Sequence, residues 1–325
     1  MRALVTGAGG FIGSHVTELL VRAGWDVRAF VRYSSHDQLG ALVHAEPDLL
    51  ASVDVVVGDL RDDGSVRAAM HGCDAVLHLG AVISIPYSYR APREVVETNV
   101  IGTLNVLCAA RDLELRRVVH TSTSEVYGSA RTERIDEAHV LQGQSPYSAS
   151  KIGADKLAEA FHRSFGTPIV TLRPFNTYGP RQSPRAVIPT ILTAALAGRP
   201  LKLGSLTPTR DFTYVTDTAD AFLRAAGADG VDGETIHLGV GAETSIAEVV
   251  RLAGELVGHE LEVVVEDERI RPPDSEVSRL RSDPRRAFDR LGWTPQVGLA
   301  EGLKRTADWL AAGGAGWFRL PDYAT

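Results

Sequence analysis

The chain has 325 residues, 44% apolar and 23% charged, a composition that supplies a full core and excludes a disordered or fibrous chain. A formal charge of −7 leaves no overall basic field for nucleic acid or an anionic membrane, and no run reaches the ~18 apolar residues of a span. At about 150 residues per domain, this length predicts one large domain or two joined lobes.

Short β-branched runs alternate with amphipathic stretches. Strands are predicted at Arg2–Thr6, 27–31, Asp54–Val57, 75–79, 117–122, 169–172 and Thr235–Leu238, and helices over 11–23, 61–70, 95–110, 148–165 and 215–226. Such alternation implies parallel strands joined by crossovers, hence an α/β fold of the Rossmann-type, doubly wound kind. The opening MRALVTG shows no charged leader followed by an apolar run, so a soluble cytoplasmic protein is expected. Cys73 and Cys108 lack metal-ligand spacing and read as small apolar side chains; His78 and His120 read as core histidines, and no metal site is expected.

The first strand runs into Thr6-Gly7-Ala8-Gly9-Gly10-Phe11-Ile12-Gly13. Gly7, Gly10 and Gly13 recur every third residue where backbone must approach a pyrophosphate at a helix N-terminus, so this turn, with Phe11 and Ile12, predicts dinucleotide binding. The second strand ends Phe30-Val31-Arg32-Tyr33-Ser34-Ser35, without the acid that would hold an adenosine ribose. Arg32 with the two serines favours NADP(H) slightly over NAD(H), although Arg32 could equally be a solvated residue stacking on adenine. Asp59, beside Leu60, is a candidate for the adenine amine or for the N-cap of a helix beginning at Arg61. Leu79 and Ala81, after the fourth strand, complete the expected cofactor set.

Tyr147-Ser148-Ala149-Ser150-Lys151 carries the chemistry. Positions i and i+4 share a helical face, so the ammonium can meet the phenol over a cofactor and, helped by oxidised nicotinamide, lower its pKa and let it act as a base near neutral pH. Only four of 34 basic residues are lysines (Lys151, Lys156, Lys202, Lys304), which makes this placement more pointed.

With Thr123 at the end of the fifth strand, these residues resemble the extended short-chain dehydrogenase/reductase superfamily, from Thr6-Gly7 to Leu291-Gly292-Trp293-Thr294-Pro295. The resemblance implies a nucleotide-sugar enzyme with residues 1–173 and 214–243 binding the dinucleotide, 174–213 and 244–312 forming a smaller interleaved α/β substrate lobe, and 313–325 a tail. Asn99 matches the family's helix asparagine, which supports the active site. The stretch Thr121-Ser122-Thr123-Ser124-Glu125-Val126-Tyr127-Gly128 places glutamate where 4-epimerases usually carry a small residue. In strand geometry Thr123 and Glu125 would point to one side and Ser124 to the other. Thr-Ser-Glu resembles GDP-mannose 4,6-dehydratases, and the segment Gln142-Gly143-Gln144-Ser145-Pro146 resembles the N-acetylglucosamine-nucleotide 4,6-dehydratases of legionaminic acid pathways. An N-terminal cap or a surface ion pair is the structural alternative for Glu125.

The implied reaction has Tyr147 take the C4 hydroxyl proton as hydride leaves C4, Glu125 abstract the C5 proton, and water leave C6 before hydride returns there. The cofactor is then tightly bound and recycled. Thr123, Ser124, Glu125, Tyr147 and Lys151 form the catalytic set, with Ser124 a poor general acid. For the UDP- or GDP-linked hexose or N-acetylhexosamine, the family implies Asn176 at the diphosphate and Arg210 and Arg271 at the nucleotide ribose and diphosphate. Ser84 and Tyr87, on a loop over the sugar, either touch it or pack structurally. The 95–110 and 148–165 helices match the family's dimer interface, so a homodimer is expected. Rival readings are a UDP-glucuronate decarboxylase of the UDP-xylose synthase type, a 4-epimerase, and a dinucleotide-sensing regulatory protein.

Overall fold

A computed structural model describes residues 1–33, 39–266 and 273–314. Seven strands, β1 (Arg2–Thr6), β2 (Asp26–Val31), β3 (Asp54–Val57), β4 (Ala75–His78), β5 (Arg117–Thr121), β6 (Ile169–Pro174) and β7 (Thr235–Leu238), form one sheet in the order β7-β6-β5-β4-β1-β2-β3. Every neighbouring pair is parallel, with Thr6 of β1 level with Phe30 of β2 on one side and His78 of β4 on the other. The chain leaves β1 for β2 on one side and reaches β4 on the other, so the sheet's winding reverses between β1 and β4. That reversal opens the crevice where such sheets bind ligands.

Strand alternation builds a core on each face. Val5 and Val119 pack with Leu20, Phe222 and Leu238 on one face. Their neighbours Leu4 and Val118 pack with Val76, Leu107 and Phe161 on the other. β4 and β6 are buried along their whole length, as both-face coverage demands. A further core joins Tyr178, Ile191, Leu203, Val249 and Leu303, gathering helices Val187–Leu196, Ile246–Val257 and Leu299–Ala311. The short strands Asn176–Tyr178 and Phe212–Tyr214 pair in parallel beside it.

Three elements differ from expectation. The segment after β4 is not an open loop: Ser84 accepts from Tyr87 N at 3.3 Å and caps a helix over Ile85–Arg90. The helix after β3 begins at Asp63, not Arg61, because Asp62 accepts from Gly64 N and Ser65 N. The predicted 95–110 helix is two helices, Pro92–Val96 and Gly102–Asp112, joined by a π-turn over Glu97–Ile101. No helix among the described residues is long and apolar enough to cross a membrane.

Candidate active site

The Gly-rich turn closes directly over the sheet. Gly7 has φ +70°, and a Cβ there would lie 2.8 Å from Gly80 Cα; a Cβ on Gly13 would lie 2.1 Å from Gly7 O. The Phe11–Arg22 helix starts at Gly10 with no side-chain cap, so its first N–H groups face the crevice without a side-chain acceptor. These features fit a dinucleotide pyrophosphate.

Around this cradle, Leu79 N donates to Thr6 O at 3.2 Å, and Leu60 O accepts from Asn105 Nδ2 at 2.8 Å. Phe11, Ile12 and Ala81 are partly exposed, and Arg32 is exposed at the end of β2. Ser34, Ser35 and Arg271 lie outside the described residues. Asp59 is not a helix cap. Its carboxylate accepts from Arg61 N at 2.9 Å and Arg61 Nη2 at 2.6 Å, and the Arg61 hydrogen bond lowers its pKa.

The helix Pro146–Phe165, which carries Tyr147 and Lys151, begins at a capping box in which Ser145 and Ser148 satisfy each other's backbone N–H. Tyr147 therefore sits in a fixed first turn, buried beside Thr123. Burial raises its pKa above the ordinary 10, with the Thr123 hydrogen bond opposing and the Glu125 charge adding to the rise. Lys151 by itself does not lower it; the expected lowering counts on oxidised nicotinamide as well. The lysine side chain is buried too; its Nζ donates to Thr121 O at 2.6 Å, and desolvation takes its pKa to about 8. Asn99, in the π-turn, accepts from Val82 N at 2.8 Å and donates to Val82 O and to Ser150 Oγ, at 2.9 and 3.0 Å. It joins the segment after β4 to the helix between Tyr147 and Lys151.

Strand geometry does not persist through the Thr121–Gly128 motif. β5 ends at Thr121, and Thr123 caps a 3-10 turn over Ser124–Tyr127, accepting from Glu125 N at 3.2 Å. The expected alternation of Thr123, Ser124 and Glu125 is replaced by a turn that buries Ser124, Val126 and Tyr127. Glu125 stays partly exposed, close enough for its charge to act on the Tyr147 phenol.

Beyond β6, Asn176 N donates to Asp211 O at 2.9 Å, and Asn176 pairs with Phe212, two residues after Arg210. Asn176 Oδ1 is buried without a hydrogen-bond partner, as a residue awaiting a ligand donor would be. Arg210 is held by Glu276, with Nη2 3.1 Å from Oε1, and by its donation to Thr209 O at 2.9 Å. The Tyr87 hydroxyl donates to Glu94, and the Ser84 hydroxyl is engaged as the helix cap.

A buried polar chain behind the site was not singled out from the sequence. Asp155, two turns after Tyr147, accepts from Ser122 Oγ at 2.7 Å and from Arg173 Nη2 at 2.8 Å, and lies 3.0 Å from His120 Nε2. The available signal was the spacing Tyr147, Lys151, Asp155, which repeats one helical face. Among the described residues no group of three or more His, Cys, Asp or Glu converges as a metal would require.

A family model described as GDP-mannose 4,6 dehydratase matches residues 4–306. The UDP-glucose 4-epimerase of Mycolicibacterium smegmatis is 34% identical, covering 95% of this chain and 98% of that protein. The dTDP-glucose 4,6-dehydratase of an Actinoplanes species is also 34% identical, covering 98% and 100%. The solved dTDP-glucose 4,6-dehydratase DesIV of Streptomyces venezuelae, with NAD bound, superposes with a TM-score of 0.87 at 33% identity, covering 99% and 100%.

Proposed function

The chain belongs to the GDP-mannose 4,6-dehydratase family, within the extended short-chain dehydrogenases/reductases, and on that premise we propose that it is a nucleotide-sugar 4,6-dehydratase. Its product would be a 4-keto-6-deoxy sugar. The observation that carries this reading is the turn capped by Thr123, which sets a carboxylate, Glu125, beside the same phenol that Thr123 engages. An epimerase needs an acid–base group at C4 only; elimination also needs a base at C5, and Glu125 supplies it.

Gly7, Gly10, Phe11, Ile12, Asp59, Leu60, Leu79, Ala81, Tyr147 and Lys151 would hold the nicotinamide dinucleotide. When bound, that group supplies a hydride acceptor for sugar C4 and returns the hydride to C6. Tyr147 takes the C4 hydroxyl proton, with Thr123 holding its oxygen and the Lys151 ammonium favouring the phenolate. Glu125 removes the C5 proton, made acidic by the adjacent ketone. With Ser124 buried and a weak acid, Glu125 passes its proton to the departing C6 hydroxide. Asn176, donating through Nδ2, and Arg210 hold the diphosphate and ribose of the UDP- or GDP-linked sugar, and the unpartnered Asn176 Oδ1 is free to accept from a ribose hydroxyl.

The NADP(H) preference expected from Arg32, Ser34 and Ser35 is not supported, since the solved relative binds NAD. Dinucleotide released on denaturing the purified protein should be NAD(H); NADP(H) would reverse this. The exposed apolar Val96, just before the π-turn, and Ile101, its last residue, support a homodimer, which a monomer in sedimentation would overturn.

The reaction is tested by mass spectrometry after incubation with UDP- and GDP-linked hexoses, their N-acetyl forms and UDP-glucuronate. Loss of one water is expected. Loss of carbon dioxide means the decarboxylase, and an isomer of unchanged mass means the epimerase. Glu125→Gln should still reduce the bound nicotinamide but lower water loss about 100-fold or more; normal dehydration would place the C5 base elsewhere.

A further inference from the structure

Lys151 and Asp155, one helical turn apart, grip consecutive residues of a single strand end. Lys151 Nζ donates to Thr121 O at 2.6 Å, and Asp155 Oδ2 accepts from Ser122 Oγ at 2.7 Å. The turn bearing Thr123 and Glu125 begins at the next residue. Its far end is Tyr127, whose hydroxyl accepts from Arg173 Nη1 at 2.5 Å while the guanidinium lies 5.1 Å from the ring centre. Arg173 is in turn fixed on Asp155 by Nη2 and Nε, at 2.8 and 3.2 Å. The same Tyr127 hydroxyl lies 2.6 Å from His237 Nε2 of β7. One carboxylate thus holds the turn before its start and, through an arginine, after its finish.

Ser122, Tyr127, Asp155, Arg173 and His237 are all buried, and the Asp155 carboxylate bonds to Ser122, His120 and Arg173. We propose that Asp155 is a positioning residue that fixes the Thr123–Glu125 turn against the Tyr147–Lys151 helix, acting through Ser122 on one side and Arg173 with Tyr127 on the other. A buried anion suits that role, since it is tolerated only when several donors converge on it, and that convergence makes the arrangement stiff. The donors win against burial, since the carboxyl titrates at about 2 despite complete enclosure. Asp155 also opposes the desolvation of Lys151. The inference rests on the dehydratase reading for what Glu125 does, but not for Thr123, which touches Tyr147 whichever sugar reaction follows.

Removing Asp155 itself would strand Arg173 as a buried unpaired charge, so the test uses the grips instead. Ser122→Ala and Tyr127→Phe each delete one hydroxyl without leaving a charge, and the double variant loosens both ends. With sugar nucleotide as substrate, kcat should fall about tenfold in each single variant and further in the double, with KM within about twofold, because small misplacements of reacting groups are costly. Amide exchange should quicken over residues 123–128 and stay unchanged over 147–155. Single variants that fold, exchange like the parent and turn over within about twofold of it would overturn the proposal. Glu125→Gln run alongside separates the two failures: water loss there rejects Glu125 as the base, while the kcat and exchange readings still judge Asp155 through Thr123.

Discussion

At the scale of single residues, the site depends on which effect dominates an ionisable group. A lysine four residues after a tyrosine argues for a lowered phenol pKa, because the two share a helical face. In the folded chain Lys151 turns to the Thr121 carbonyl, and burial raises the Tyr147 pKa instead. The spacing was legible because helical geometry is local. The balance without nicotinamide was not, because the burial of the phenol and its hydrogen bond to Thr123 depend on a turn more than 20 residues away in the chain. In the ligand-free protein, therefore, Tyr147 should stay protonated throughout the neutral range. A difference titration of phenolate absorbance between the parent and Tyr147→Phe should show nothing between pH 6 and 9. A tyrosine titrating in that window would mean that Lys151 acts on the phenol without a bound ligand.

At the scale of elements, the β-branched runs located all seven sheet strands to within two residues at either end, because a strand in a covered parallel sheet leaves little choice of composition. Errors fell where a short polar side chain chose between local partners. The motif after β5 was phased as a strand, yet the Thr123 hydroxyl turns back to Glu125 N and starts a 3-10 turn. Ser84 did the same to a segment read as loop. At 59–62 two aspartates competed for one cap, and the nearer carboxylate to the helix won: Asp62 meets Gly64 N and Ser65 N, while Asp59 is drawn to Arg61. Asp62→Ala should then lower unfolding stability by about 1 kcal/mol. Asp59→Ala, which loses a half-exposed ion pair, should cost about 0.5 kcal/mol or less. Denaturant midpoints of the two variants check the order, and a larger loss at Asp59 would return the cap to it.

At the scale of the whole molecule, the contact between the segment after β6 and the Phe11–Arg22 helix carries a cluster that the sequence left unread, because the partners across it lie more than 130 residues apart. Arg181 reaches across to Glu18 Oε1 and His44 O, at 2.9 and 3.0 Å, and Pro180 O lies 3.1 Å from His15 Nε2. Desolvation by burial and the nearby Arg181 charge hold His15 down from 6.5 to about 4. The folded chain thus keeps His15 neutral at pH 5, where an unfolded chain would protonate it. The unfolded state binds more protons between those two values, so stability is lost as pH falls below 6.5. At pH 5 this one residue accounts for up to about 2 kcal/mol of that loss. Glu137 and Asp211, raised by burial, titrate in the opposite sense, so the effect must be read as a difference between variants. Urea unfolding at pH 7 and pH 5 should show a smaller acid loss in His15→Gln than in the parent. Equal losses would mean that His15 takes its proton in the folded state, so that the Arg181 contact does not hold it neutral.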